Sequence, residues 1–188
     1  MFNFFFKLKG WKVTHYLPKE VSKCVIIAAP HTSNWDFIYA MGALKDMNIK
    51  TRFTIKKEWY KFPFKGLMKK MGALPIDRGI NPDGTRKGTV DAMVDLFNER
   101  KELLLLITPE GTRSAVTKWK TGFYHVALNA KVPIALGFID YAKKECGIDK
   151  LIYPTGNFNE DMKLIMEFYK NIIGRNPNNF ALHQIVDA

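Results

Sequence analysis

Short apolar runs alternate along this chain with stretches of helical periodicity, and that alternation limits the fold more than any other feature of the sequence. Val25-Ile26-Ile27-Ala28-Ala29 is a continuous apolar run closed by Pro30, as expected of a strand buried on both faces. Ser33 and Asn34 are good helix N-caps, and Phe37, Ile38, Met41 and Leu44 follow at helical spacing. Residues 52–55 and 73–76 are further strand candidates, the second interrupted by Pro75. A helix is expected over about 85–100, where Val90, Met93, Val94 and Phe97 share a face, and a buried strand over 103–107. A helix over 122–130, a strand over 133–139, a short strand at 151–153 and an amphipathic helix over 161–173 complete the pattern. The fold class this predicts is α/β: a single domain whose largely parallel or mixed central sheet is flanked by helices. No internal repeat or interdomain linker is read, and 188 residues suit one domain.

Two of the turns that follow strand candidates carry chemistry. In Pro30-His31-Thr32-Ser33-Asn34-Trp35-Asp36, a strand passes into a helix. Residues five apart on a helix diverge by roughly 140°, so His31 and Asp36 meet only if His31 stands in the turn before the N-cap. There a carboxylate on one ring nitrogen fixes the tautomer and stabilises the imidazolium, freeing the other nitrogen to take a proton from an alcohol. The bland alternative makes Asp36 an early-helix acid facing the helix dipole and His31 a surface residue. Thr108-Pro109-Glu110-Gly111-Thr112-Arg113-Ser114 follows the leucine strand. Such a turn can offer backbone N–H groups, a hydroxyl and a bidentate guanidinium to a phosphate. Glu110 would bind a substrate hydroxyl or fix the turn. Both turns belong at strand carboxyl ends, where open α/β sheets bind ligands. A third turn, Ile76-Asp77-Arg78-Gly79, would bring Arg78 to the same edge. The basic loop over 81–88 does not fit the P-loop pattern.

Twenty-nine Lys and Arg against 18 Asp and Glu leave a net charge of +11, which points to an acidic partner. No run reaches the roughly 20 apolar residues of a membrane span. The N-terminal Met1-Phe2-Asn3-Phe4-Phe5-Phe6-Lys7-Leu8-Lys9-Gly10-Trp11-Lys12 lacks the length and cleavage site of a signal peptide. Its rings and amines suit either an interfacial anchor or packing onto the domain. The expected division is an N-terminal interfacial membrane-contact segment, 1–24, and a main domain, 25–188. Lys50 to Lys70 holds eight basic residues and one acid among aromatics, a composition fit for a lipid interface or for stacking on single-stranded nucleic acid. Cys24 and Cys146 read as isolated thiols.

Taken together, the blocks resemble the glycerolipid acyltransferase family, which includes the lysophosphatidic acid acyltransferases. The resemblance rests on His31 to Asp36, Ile76 to Gly79, Pro109 to Ser114 and Val132-Pro133-Ile134 in that order, with Lys120-Thr121-Gly122 after the third block. It covers roughly residues 25–140. It implies the glycerol-3-phosphate acyltransferase-like fold and a reaction without an acyl-enzyme, in which His31, oriented by Asp36, deprotonates an acceptor hydroxyl that attacks an acyl thioester. Arg78, Glu110, Gly111, Thr112 and Arg113 would bind a phosphate-bearing acceptor such as 1-acylglycerol-3-phosphate, and Pro133 would shape the pocket. The expected partners are an anionic membrane surface, acyl carrier protein or a CoA thioester as co-substrate, and a lysophospholipid acceptor. Neither a cofactor nor a metal nor nucleic acid is expected. The expected location is cytoplasmic, on the inner face of the cell membrane.

Other readings stay open at this point. The acceptor could be an amino-acid-derived or other phosphate-free lysolipid, with less weight on Arg78 and Arg113. A non-catalytic basic module that binds membranes or nucleic acid would need no His31–Asp36 pair. A serine hydrolase is disfavoured because no G-x-S-x-G elbow is present. A metalloenzyme is disfavoured because His15, His31, His125 and His183 lack paired ligand spacing.

Overall fold

The buried apolar runs assemble into one sheet, and its strand order decides which loops meet. The computed structural model describes residues 2–57, 60, 61, 63, 65–76 and 87–184. In chain order the elements are α1 (Phe2–Leu8), β1 (Lys12–His15), β2 (Lys23–Ala29), α2 (Asn34–Asp46), β3 (Thr51–Lys56), α3 (Lys65–Lys70), β4 (Ala73–Ile76), α4 (Thr89–Asn98), β5 (Leu103–Ile107), α5 (Gly122–Ala130), β6 (Ile134–Asp140), β7 (Glu145–Ile152) and α6 (Phe158–Tyr169). Seven strands form a sheet in the order β1-β7-β6-β2-β5-β3-β4. All neighbours are parallel except the β6–β7 pair. The fold is thus α/β with a mixed, mostly parallel sheet in a single domain.

β2 runs through the middle, between β6 and β5, and its unbroken apolar sequence follows from having no solvent face. Val25, Ile27 and Ala29 enter the core made with Phe97 of α4, Phe123 and Val126 of α5, and Met162 and Ile165 of α6. Cys24 and Ile26 face the other way, with Leu17, Ala135 and Ile148. Further along that second face, Phe6, Trp11, Tyr39 and Ala43 pack over Ile139 and Cys146. Tyr169, fully buried on α6, donates its hydroxyl to Gly137 O at 2.9 Å and locks that helix to the sheet. Cys24 and Cys146 are buried free thiols.

Three expectations change in detail. Lys12–His15, assigned from sequence to the terminal segment 1–24, is an edge strand of the same sheet, paired with Glu145 to Gly147. The short strand expected at 151–153 is eight residues long because it closes a hairpin with β6. The final helix begins at Phe158, where Asn157 caps it by accepting from Glu160 N, and ends at Tyr169. No helix among the described residues is long and apolar enough to cross a membrane.

Candidate active site

The register places Ala29 of β2 beside Phe138 of β6 and Ile27 beside Ile107 of β5. The segments that leave these three parallel strands therefore emerge at one sheet edge. From β2 comes Pro30-His31, from β5 Thr108 to Gly111, and from β6 Tyr141.

Ser33 is the N-cap of α2, so His31 lies in the turn before the helix and Asp36 is its third helical residue. Asp36 is 4% exposed. Its Oδ2 accepts from the backbone N–H groups of Thr32 and Ser33, each at 2.8 Å. The bond from Ser33 N completes a capping box. The same Oδ2 lies 3.3 Å from His31 Nδ1. Asp36 therefore does both jobs that the sequence offered as alternatives: it caps the helix and it faces the imidazole. Its Oδ1 accepts from the Tyr141 hydroxyl at 2.6 Å. Burial, together with that bond, raises the Tyr141 pKa.

Glu110 is 4% exposed and its Oε1 accepts from His31 N at 2.9 Å, while Oε2 has no hydrogen-bond partner among the described residues. Burial raises its pKa to about 7, against the lowering effect of the His31 bond. The side chain thus joins the β5 turn to the β2 turn through backbone. Gly111 N donates to Thr108 O at 3.1 Å to close a tight turn, and Gly111 sits at φ +66°, where glycine is favoured. A Cβ there would stand 2.6 Å from Lys120 Nζ, so the lysine side chain passes directly over this turn. Thr112 Oγ1 accepts from Ser114 N at 3.3 Å. Arg113, exposed, donates from Nη1 to Asn34 Oδ1 and so bridges the β5 turn to the start of α2.

Pro133 is set apart from this group. It is buried immediately before β6, where its carbonyl accepts from Val25 N at 3.0 Å. Val25 and His31 are six residues apart along an extended strand, roughly 20 Å. Arg78 lies outside the described residues.

A cavity of about 560 Å³ opens beside the His31–Asp36 pair and runs between α2 and the sheet. Ile26, Ala28, Ala40, Ala43, Gly137 and Ile148 contribute to a lining that is chiefly apolar. Lys120 also reaches it. Sequence reasoning noted Lys120 only as part of a block and did not foresee Tyr141, whose partner Asp36 is 105 residues away.

The geometry is that of an imidazole held by a carboxylate at the end of an apolar cleft, and a comparison with known families agrees with it. The family described as acyltransferase matches residues 12–135. The chain belongs to the acyltransferase family. No curated protein matches it. The matched stretch runs from β1 to the second residue of β6, so this acyltransferase domain takes in the edge strand that the sequence had assigned to the terminal segment.

Proposed function

We propose that this acyltransferase moves a fatty acyl group from an acyl thioester, acyl-ACP or acyl-CoA, to the hydroxyl of a lysophospholipid such as 1-acylglycerol-3-phosphate, with His31 as general base. The observation that carries the reading is the His31 Nδ1 to Asp36 Oδ2 approach of 3.3 Å at the end of the apolar cavity. A carboxylate on Nδ1 favours the tautomer with its proton there, so Nε2 can accept the acceptor's hydroxyl proton. The oxygen then attacks the thioester carbonyl carbon. As the tetrahedral intermediate collapses, the C–S bond breaks and the imidazolium returns its proton to the departing thiolate. The cavity suits an acyl chain, because its lining removes methylenes from water at a gain of about 0.8 kcal/mol each. Arg113 and Lys120, with Arg78, would meet a phosphate on the acceptor. The +11 charge suits the phosphates of CoA, an acidic carrier protein and an anionic membrane alike, and the site of action would be the cytoplasmic face of the membrane.

The test uses purified protein, both donors and a panel of lysolipids, with products identified by mass spectrometry. Transfer to 1-acylglycerol-3-phosphate is expected, and His31→Ala should abolish it without altering the thermal transition. Retained transfer in that variant would refute the mechanism. Preference for a phosphate-free or amino-acid-derived lysolipid would keep His31 and replace the acceptor.

A further inference from the structure

Beyond the matched stretch, the chain returns to the His31–Asp36 turn from two directions. The first is Tyr141, immediately after β6. Its hydroxyl donates to Asp36 Oδ1, and its ring is fixed edge-on against Trp11 at 4.9 Å and Tyr39 at 5.7 Å. The second is the segment 173–176 after α6. Its Ile173 carbonyl accepts from Tyr141 N at 2.8 Å. Asn176 then grips Thr32 twice: its backbone N–H donates to Thr32 Oγ1 at 3.2 Å, and its Nδ2 donates to Thr32 O at 2.8 Å. Between them, Gly174 packs so closely on the turn that a Cβ there would stand 3.0 Å from Thr32 Oγ1 and 3.1 Å from Pro30 Cβ. Arg175 lays its guanidinium over the Trp35 ring at 5.4 Å and the Tyr141 ring at 6.0 Å.

We infer that Tyr141 and Asn176 are positioning residues, which hold the His31–Asp36 turn in the arrangement that aims the imidazole. The inference rests on the proposed role of His31. Asp36 Oδ2 is fixed by two amides of its own turn, and these bonds hold the carboxylate relative to that turn but not relative to the sheet. Tyr141 supplies the sheet reference, because it follows directly on β6 and its ring stands edge-on against the stacked rings of Trp11 and Tyr39. Asn176 supplies a second reference on the other side of the turn, at Thr32, one residue from His31. Without them the turn keeps its internal hydrogen bonds and its ties to the β5 turn through Glu110 and Arg113, but loses the hold on Asp36 Oδ1 and on Thr32 that completes its orientation. A misplacement of about 1 Å at reacting atoms is enough to cost roughly 100-fold in rate.

Tyr141→Phe removes one hydroxyl and keeps the ring packing. Asn176→Ala removes one exposed amide. Both should fold with thermal transitions close to that of the unaltered protein. The positioning is read directly from the His31 ring nitrogens by NMR of ¹⁵N-histidine-labelled protein. A single Nδ1-protonated tautomer is expected in the unaltered chain and a mixture in each variant. In the transfer assay kcat should fall about tenfold in Tyr141→Phe and severalfold in Asn176→Ala, with KM for donor and acceptor within twofold. Tyr141→Trp, which also lacks the hydroxyl, should not restore the rate. Unchanged ring signals in both variants would overturn the inference, and so would a full kcat in both while His31→Ala is inactive. If His31→Ala retained transfer, the proposed function would fall, yet the ring signals would still decide the positioning.

Discussion

At the scale of single residues, Glu110 behaves unlike an ordinary acid in a phosphate-binding turn. It is buried, one oxygen serves the backbone of His31, and the other has no partner among the described residues. A buried oxygen in that condition favours the protonated acid, and burial lifts the pKa from 4.5 to about 7. The sign of the consequence follows from proton counting. Between pH 4.5 and about 7 the folded chain holds this proton and the unfolded chain has released it, so stability falls as pH rises through that window and levels off above it. The full loss is on the order of 3 kcal/mol. Glu110→Gln keeps an oxygen for His31 N and cannot ionise. Its stability relative to the unaltered protein should therefore improve on going from pH 5 to pH 8, by up to about 3 kcal/mol. Urea unfolding of the two proteins at both pH values measures this, and a constant difference would show that Glu110 stays ionised when folded.

At the scale of elements, the legible parts were those whose own residues carry the signal. β5 and α5 follow the expected boundaries, and β2 ends where expected but starts two residues earlier, at Lys23, because central strands are apolar throughout and the helix is amphipathic. The His31–Asp36 geometry was legible too, since the N-cap at Ser33 dictates where the helix can start. β1 was not, because Lys12-Val13-Thr14-His15 is a mostly exposed edge strand whose partner is more than 130 residues away. Tyr141 and Asn176 were illegible for the same reason: their relation to the turn is created only when β6 and α6 are in place. α1 was legible as an apolar, basic segment but not in its orientation. Its seat on α2 depends on Gly42, where a Cβ would stand 2.7 Å from Phe6 Cβ. Gly42→Ala gains about 1 kcal/mol of helix propensity, but the clash lies near the backbone of α1 and no side-chain rotation relieves it. The variant should lose stability by about 1–2 kcal/mol net. A midpoint in urea equal to or above that of the unaltered protein would show that α1 can move aside without cost.

For the whole molecule, a basic acyltransferase without a spanning helix among its described residues needs a way to meet the lipid substrate proposed for it. α1 packs one side chain onto the domain and turns others outward. Phe6 is 1% exposed and packs with Trp11 and Tyr39 in the core, while Phe4 and Leu8 are 74% and 69% exposed on the same helix. Lys7 lies between them, 2.9 Å from Asp46. Removing residues 1–12 would therefore strip Phe6 and Trp11 from the core and confuse loss of contact with loss of fold. Phe4→Ser combined with Leu8→Ser touches only the outward face. With two apolar side chains no longer available to enter the interface, affinity for vesicles of anionic phospholipid should fall at least fivefold. The thermal transition should move little, since exposed side chains far from caps and core contribute within about 0.5 kcal/mol. The charge makes a separate contribution. Raising salt from about 0.05 to 0.5 M should weaken binding in both proteins, because the Debye length shortens to a few Å. Vesicle co-sedimentation across that range separates the two effects. Salt-sensitive binding that ignores both substitutions would assign membrane contact to charge alone and remove α1 from it.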